Sequence, residues 1–305
     1  MDVTGIREEF FRAYYDDRSR RQAALLKRQI SPPAAPEETL TLSVINQKGG
    51  CGKTTTAINL SAYLAEMGYS VLLVDLDPQA HATLGLGIEG DSVEMTVYHL
   101  LLRPALSASE VIQPTYHRNL KLIPSNALLA AAQVELLGLP DRERLLKNKL
   151  DHLKGFFHFI IIDCPPSLNL LTIVALTAAR RLIIPIQTQY YSLDGMRELF
   201  RTIELVRQNS NPALDILGIL PTLFDWRTKL NRAMLKALKE YFHDQIFETT
   251  IHFSAALAEC PIMGQPVNRY APGSRGAEDY RRLAQELITR VTPKDRSFEQ
   301  SEKTL

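Results

Sequence analysis

The stretch VINQKGGCGKTTTAINL, Val44 to Leu60, restricts the fold more than any other part of this chain. An apolar run stops at a glycine-rich turn, a Lys-Thr pair follows, and helical spacing begins at once. Ala57, Leu60, Leu64 and Met67 share one face of a helix expected over residues 55–67, which Gly68 is placed to end. A strand that turns tightly into a helix crosses back over its sheet, so the next strand lies parallel to the first. The turn also has a chemistry. Its glycines let backbone N–H groups face inward, the helix start adds partial positive charge, and Lys53 brings a full one. That combination suits phosphate, with Lys53 at the β and γ phosphates and the Thr54 hydroxyl on Mg²⁺. The usual pattern for such a turn is G-x-x-x-x-G-K-[ST]. Gly52, Lys53 and Thr54 meet it, but Gln47 stands where the first glycine is due, and a second lysine, Lys48, precedes Lys53.

The rest of the chain repeats the alternation. The runs LTLSVI (40–45), SVLLVDL (70–76), FHFIII (157–162), RLIIPI (181–186) and LDILGIL (214–220) are almost continuously apolar, as parallel strands covered on both faces require. With helical stretches between them, the expected class is α/β: a doubly wound, mostly parallel sheet with helices on both faces. Residues 1–39 differ. Arg18, Arg20, Arg21, Lys27 and Arg28 fall in a helix-compatible stretch, and SPPAAPEE (31–38) reads as a proline-stiffened linker. The expected organisation is a basic helical extension and Pro-rich linker over 1–39, a main domain over 40–292 and a polar, flexible tail over 293–305.

Composition excludes more than it selects. Lys plus Arg number 35 and Asp plus Glu 34, so net charge does not point to nucleic acid and only a local patch can. Three unpaired cysteines, Cys51, Cys164 and Cys260, argue against a disulfide scaffold or a zinc site and fit a reducing cytosol. No apolar run approaches the ~20 residues needed to span a bilayer, so a soluble, intracellular protein is expected.

KGGCGKT, Lys48 to Thr54, resembles the deviant Walker A motif K-G-G-x-G-K-[ST] of the ATPase group that includes ParA and MinD proteins, the nitrogenase iron protein and arsenite-pump ATPases. SVLLVDLDPQAHATLGLG (70–87) is similar to the switch segment of ParA and Soj proteins, and FIIIDCPPSLNLLTIVALTAA (159–179) to their Walker B strand and following helix. PIQTQYYSLDGMREL, TIELVRQNSNPALDILGILPTLFDWRT and GSRGAEDYRRLAQEL continue the match, which covers about residues 41–290. The chain thus looks like a ParA/Soj-type partition ATPase with a P-loop NTPase fold.

That resemblance implies ATP and Mg²⁺ as ligands and a homodimer when ATP is bound. ATP would be held by Lys48, Gly49, Gly50, Cys51, Gly52, Lys53, Thr54 and Thr55. Lys48 would reach across the dimer to the partner's phosphates, where a dry seam screens its charge little. Asp77 would orient the attacking water, and Asp163 and Thr54 would hold the metal. Asp75 would tie to the Mg²⁺ shell or the loop, with a purely structural hydrogen bond as its alternative. His81 is read as an exposed switch-loop residue at a position the family gives to glycine. None of the cysteines has the context of an iron–sulfur cluster, and the tail lacks the apolar stripe of a membrane-targeting helix.

One segment departs from the family. IHFSAALAECP (251–261) carries Phe253, Ser254 and Ala256 where ParA proteins have an arginine, an asparagine and a second arginine, which puts adenine contacts and a basic DNA surface there in doubt. Arg269, Arg275, Arg281 and Arg282 form a compensating basic set able to attract phosphate backbones without reading sequence; a solvated charged helix is the plainer account. The expected function is DNA segregation with a ParB-like partner by a cytoplasmic, nucleoid-associated ATPase without a membrane role. Two alternatives stand: the same cycle positioning a non-DNA cargo through an adaptor, and a nucleotide-dependent scaffold with negligible hydrolysis.

Overall fold

The computed structural model describes residues 38–188 and 194–292. Of the expected extension and linker, residues 1–37 lie outside the described residues, as does the tail 293–305.

Seven strands form one sheet: β1 (Leu40–Val44), β2 (Val71–Asp75), β3 (Gln113–Pro114), β4 (Leu120–Ile123), β5 (Phe159–Asp163), β6 (Arg181–Gln187) and β7 (Asp215–Thr222). Their order is β3-β4-β2-β5-β1-β6-β7. All neighbours are parallel except the short edge strand β3, which runs antiparallel to β4. The five apolar runs became β1, β2, β5, β6 and β7, each within a residue or two of its expected bounds. Two strands were not anticipated. β4 is four residues with a lysine at its second position, and β3 is only two residues, so neither makes an apolar run.

Both faces of the central strands are covered. In β5, Phe159 and Ile161 join one apolar cluster while Ile160 and Ile162 join the other. On the first face pack α1 (Lys53–Glu66) and the long C-terminal helix Arg275–Val291, whose Tyr280 hydroxyl lies 3.1 Å from the Thr56 hydroxyl. On the other face lie the helices Leu170–Ala178, Asp194–Asn209 and Lys229–Phe242, among others. Helix α1 stops as the sequence suggests: Gly68 adopts φ 97° and its N–H returns to the Ala65 carbonyl at 3.1 Å.

The chain runs from β1 outward to β2 and β4, returns to insert β5 beside β1, then places β6 and β7 on the far side. The carboxyl end of β1 is therefore a topological switch point, where open α/β sheets leave a crevice for ligands. The glycine-rich turn sits there.

Candidate nucleotide site

Gly50 and Gly52 take left-handed backbone conformations, φ 70° and 87°, which L side chains adopt only with strain. Gly52 caps α1, so Lys53 begins the helix and the unpaired N–H groups of its first turn face the turn's hollow. Lys53 is buried, and its ammonium donates to the Lys48 carbonyl at 3.0 Å. Lys48 is used differently. Its N–H donates to Asn46 Oδ1 at 3.0 Å, and Asn46 Nδ2 donates to the Pro185 carbonyl at 2.7 Å, so main-chain contacts fix its position. Its half-buried side chain forms no ion pair among the described residues.

Three aspartates meet at the neighbouring strand ends. Asp75 closes β2 and Asp163 closes β5, as register partners. Both are fully buried and Asp77 nearly so. Asp75 spends both oxygens inside the chain: Oδ1 accepts from the Asp77 N–H at 3.2 Å, and Oδ2 accepts from the Thr83 N–H at 2.8 Å and the Thr83 hydroxyl at 2.7 Å. These contacts tie Asp75 to the turn that follows β2. Burial above all pushes its pKa up to about 6, against the pull of the Thr83 contacts.

Asp163 is the opposite case. Neither of its oxygens has a hydrogen-bond partner among the described residues. Burial first, then the Asp75 charge, raises its pKa well above the carboxylate range, while the nearby Thr54 hydroxyl and Lys53 ammonium oppose the shift. An orphaned, buried carboxylate beside a Lys-Thr pair is costly unless a cation arrives. Among the described residues no cluster of three or more His, Cys, Asp or Glu side chains could hold a metal. One carboxylate, one hydroxyl and ligand phosphates are instead the donor set Mg²⁺ accepts, so the residues present fit this ion.

Asp77 uses Oδ1 to accept from the Gln79 N–H at 2.9 Å, and its carbonyl accepts from the Ser125 hydroxyl at 2.8 Å. Oδ2 has no hydrogen-bond partner among the described residues. In the turn after it Ala80 takes φ 54°, a conformation that favours glycine, while His81 is exposed, as expected, and starts the short helix α2 (His81–Gly85).

The three cysteines are buried and free. Burial raises all three thiols, that of Cys260 to about 12, so none is poised as a nucleophile.

The basic set on the C-terminal helix is tied down by local acids. Arg281 and Arg282 both pair with Glu278 at 2.7 Å, and hydrogen bonds from Arg281 first hold that carboxyl down at about 2. Arg275 pairs with Asp279, whose second oxygen accepts from the His252 N–H and contacts its ring nitrogen, both at 2.9 Å. Arg269 stacks over Tyr116 at 5.2 Å. The altered segment is thus strapped to this helix through His252, while Phe253 beside it is 67% exposed. The helix Lys229–Phe242 carries further exposed basic residues that sequence reading passed over, Lys229, Arg232 and Lys236, following Arg227 in the preceding loop.

A family model described as an AAA domain matches residues 39–216. The chain is 46% identical over 246 residues to the sporulation initiation inhibitor protein Soj of Bacillus subtilis, covering 81% of this chain and 97% of that one. It is 45% identical over 255 residues to the chromosome partitioning protein ParA of Myxococcus xanthus, covering 83% and 89%. Among solved structures, cobyrinic acid a,c-diamide synthase from Mycobacterium smegmatis with bound ADP and magnesium superposes with a TM-score of 0.72 at 38% identity, over 82% of this chain and 94% of that one.

Proposed function

This chain belongs to the Soj/ParA family of chromosome-partitioning P-loop ATPases, with ATP and Mg²⁺ as its ligands, and we propose that it works as a switch in which nucleotide state sets pairing. Lys53 and the amides of Gly49 to Thr55 hold the phosphates. Thr54 and Asp163 would hold Mg²⁺, which would supply charge neutralisation at the phosphates. Asp75 positions the Asp77 turn through its contacts to Asp77 and Thr83. Asp77 orients the attacking water with the oxygen its own turn leaves open. Lys48 acts in the partner subunit's pocket, as an arginine finger does, so hydrolysis requires two chains.

The observation that carries this reading is the unequal use of the two lysines: Lys53 is folded onto the loop, while the Lys48 side chain has no ion-pair partner among the described residues. Gly49 beside it adds support. It has no positive φ, and a side chain there would meet nothing within 4 Å of its own chain.

The ATP-bound pair binds DNA without reading sequence, through Arg269, Arg275, Arg281 and Arg282 doubled by symmetry. A ParB-like partner accelerates a slow hydrolysis and releases the dimer, in the cytoplasm and on the nucleoid, to segregate a plasmid or chromosome. Among the described residues no helix is long and apolar enough to cross a membrane. A second reading, positioning of a non-DNA cargo through an adaptor, is favoured by one feature: the 251–261 segment presents Phe253 and Ala256 in place of arginines. Phosphate release with and without random-sequence duplex DNA tests the first reading. Slow turnover, lost in Asp77→Ala, is expected; equal release by wild type and Asp77→Ala contradicts the assignment.

A further inference from the structure

Strands β6 and β7 each end on a polar residue that reaches the phosphate loop, and Asn46, two residues past β1, reaches it as well. Besides Asn46, Gln187 Nε2 donates to the Gly50 carbonyl at 2.7 Å, and the Thr222 hydroxyl donates to the Cys51 carbonyl at 2.8 Å. No described peptide bond is cis, and in a trans peptide the C=O and the following N–H point opposite ways. Drawing the Gly50 and Cys51 oxygens toward β6 and β7 therefore turns the Cys51 and Gly52 N–H groups away from those strands. The N–H groups of Gly49, Gly50, Gly52, Thr54 and Thr55 meet no acceptor among the described residues. A run of open amides around left-handed Gly50 and Gly52 is an anion-binding nest.

We propose that Gln187 and Thr222 are positioning residues of the phosphate site, each holding one loop carbonyl outward so that the next amide faces the bound phosphate. The inference rests on the nucleotide-binding reading above. Two further observations carry it. Thr222 is buried, and its methyl carbon lies 3.8 Å from where a Gly52 Cβ would be, in ordinary contact, so its hydroxyl is aimed while its carbon atoms only fill space. The next residue, Leu223, holds φ 52°, a conformation costly for a leucine that persists only where surrounding contacts fix the chain. The Thr188 N–H donates to the Thr222 carbonyl at 3.3 Å and ties the ends of β6 and β7 together, so both donors share one support.

Thr222→Val keeps the shape and removes the donor; Gln187→Leu does the same at a half-exposed position where folding is not at stake. In the full chain, with Mg²⁺ present, equilibrium binding of fluorescent ATP and ADP and competition by adenosine separate the phosphate site from the rest of the pocket. Each variant is expected to bind ATP and ADP about tenfold more weakly, the size of one lost or misdirected hydrogen bond, with adenosine competition unchanged. Thr222→Ser, which keeps a hydroxyl, is expected to recover most of the loss. Variants that bind ATP within twofold of wild type overturn the inference, and so does a loss for adenosine equal to that for ATP. A wild-type chain that binds no ATP removes the nucleotide-binding reading and this inference with it, and is recognised from the unsubstituted protein alone.

Discussion

The Lys53 ammonium donates a 3.0 Å hydrogen bond to the main-chain oxygen of Lys48, so one lysine of the loop fastens the backbone of the other. Lys53 is committed inside its own chain before any nucleotide arrives. Lys48 is placed by its backbone, through Asn46, while its ammonium has no ion-pair partner among the described residues. The division predicts different losses on substitution. Lys48→Ala retains ATP affinity within about threefold but loses about 10³-fold or more in turnover, as removal of a finger residue does. Lys53→Ala loses the affinity itself. Single-turnover hydrolysis beside equilibrium binding separates the two, and unchanged turnover in Lys48→Ala would show that lysine to be idle.

Asp163 and Asp75 make the nucleotide-free site sensitive to pH. Asp75 titrates near 3.8 when unperturbed and at about 6 in the fold, and Asp163 is displaced upward as well. Between the two values the folded chain keeps protons that the unfolded chain has released, so this contribution to stability is complete below about 4 and is lost as pH rises through about 6. Asp163→Asn removes the orphaned charge. It is expected to stabilise the empty protein at pH 7 by about 1–3 kcal/mol, with a gap over wild type that widens from pH 4 to 7. The same variant should lose the Mg²⁺-dependent part of ADP-induced stabilisation. Thermal melts across pH, with and without MgADP, give both readouts.

Ala80 occupies the left-handed region at the head of α2. A Cβ there costs roughly 1 kcal/mol, and a β-branched side chain more. Melting points should therefore fall in the order glycine, alanine, valine at position 80, with Ala80→Val lower by about 1–2 kcal/mol. Equal melting of all three would mean that the turn relaxes.

Glu278 occupies both Arg281 and Arg282. Exposed ion pairs of this kind contribute little to stability, about 0–1 kcal/mol, so releasing them costs the fold little. Glu278→Gln should tighten nonspecific DNA binding several-fold and steepen its dependence on salt, while reversing Arg281 and Arg282 to glutamate should do the opposite. Filter binding over a salt series reads both slopes. If neither changes, the DNA surface lies elsewhere, and the helix carrying Lys229, Arg232 and Lys236 is the next to reverse.

The sheet was legible where strands are central and buried on both faces, because runs such as FHFIII and RLIIPI leave little else possible. It was not legible at β3 and β4, whose partly covered, short segments hide in a polar stretch. The backbone of the glycine-rich turn could be read, since left-handed turns demand glycine and a helix start demands nothing distant. Asn46, Gln187, Thr222 and Thr83 were missed because their role is long-range: each acts on a partner brought close only by the sheet order. A signal existed for three of them, a polar side chain placed where an apolar strand run gives out. Pairing of the basic set with Glu278 and Asp279 was visible as three- and four-residue spacing on a helix, and sequence reading weighed the charges without pairing them.

The central claim is that Lys48 couples nucleotide state to pairing. Its most direct measurement is the molar mass in solution, by light scattering after gel filtration, of Asp77→Ala and of Asp77→Ala with Lys48→Ala, each with MgATP and with MgADP. The account predicts a dimer for Asp77→Ala with MgATP only, and a monomer for the double variant with either nucleotide. An Asp77→Ala chain that stays monomeric with saturating MgATP, or a double variant that dimerises as readily, would contradict it.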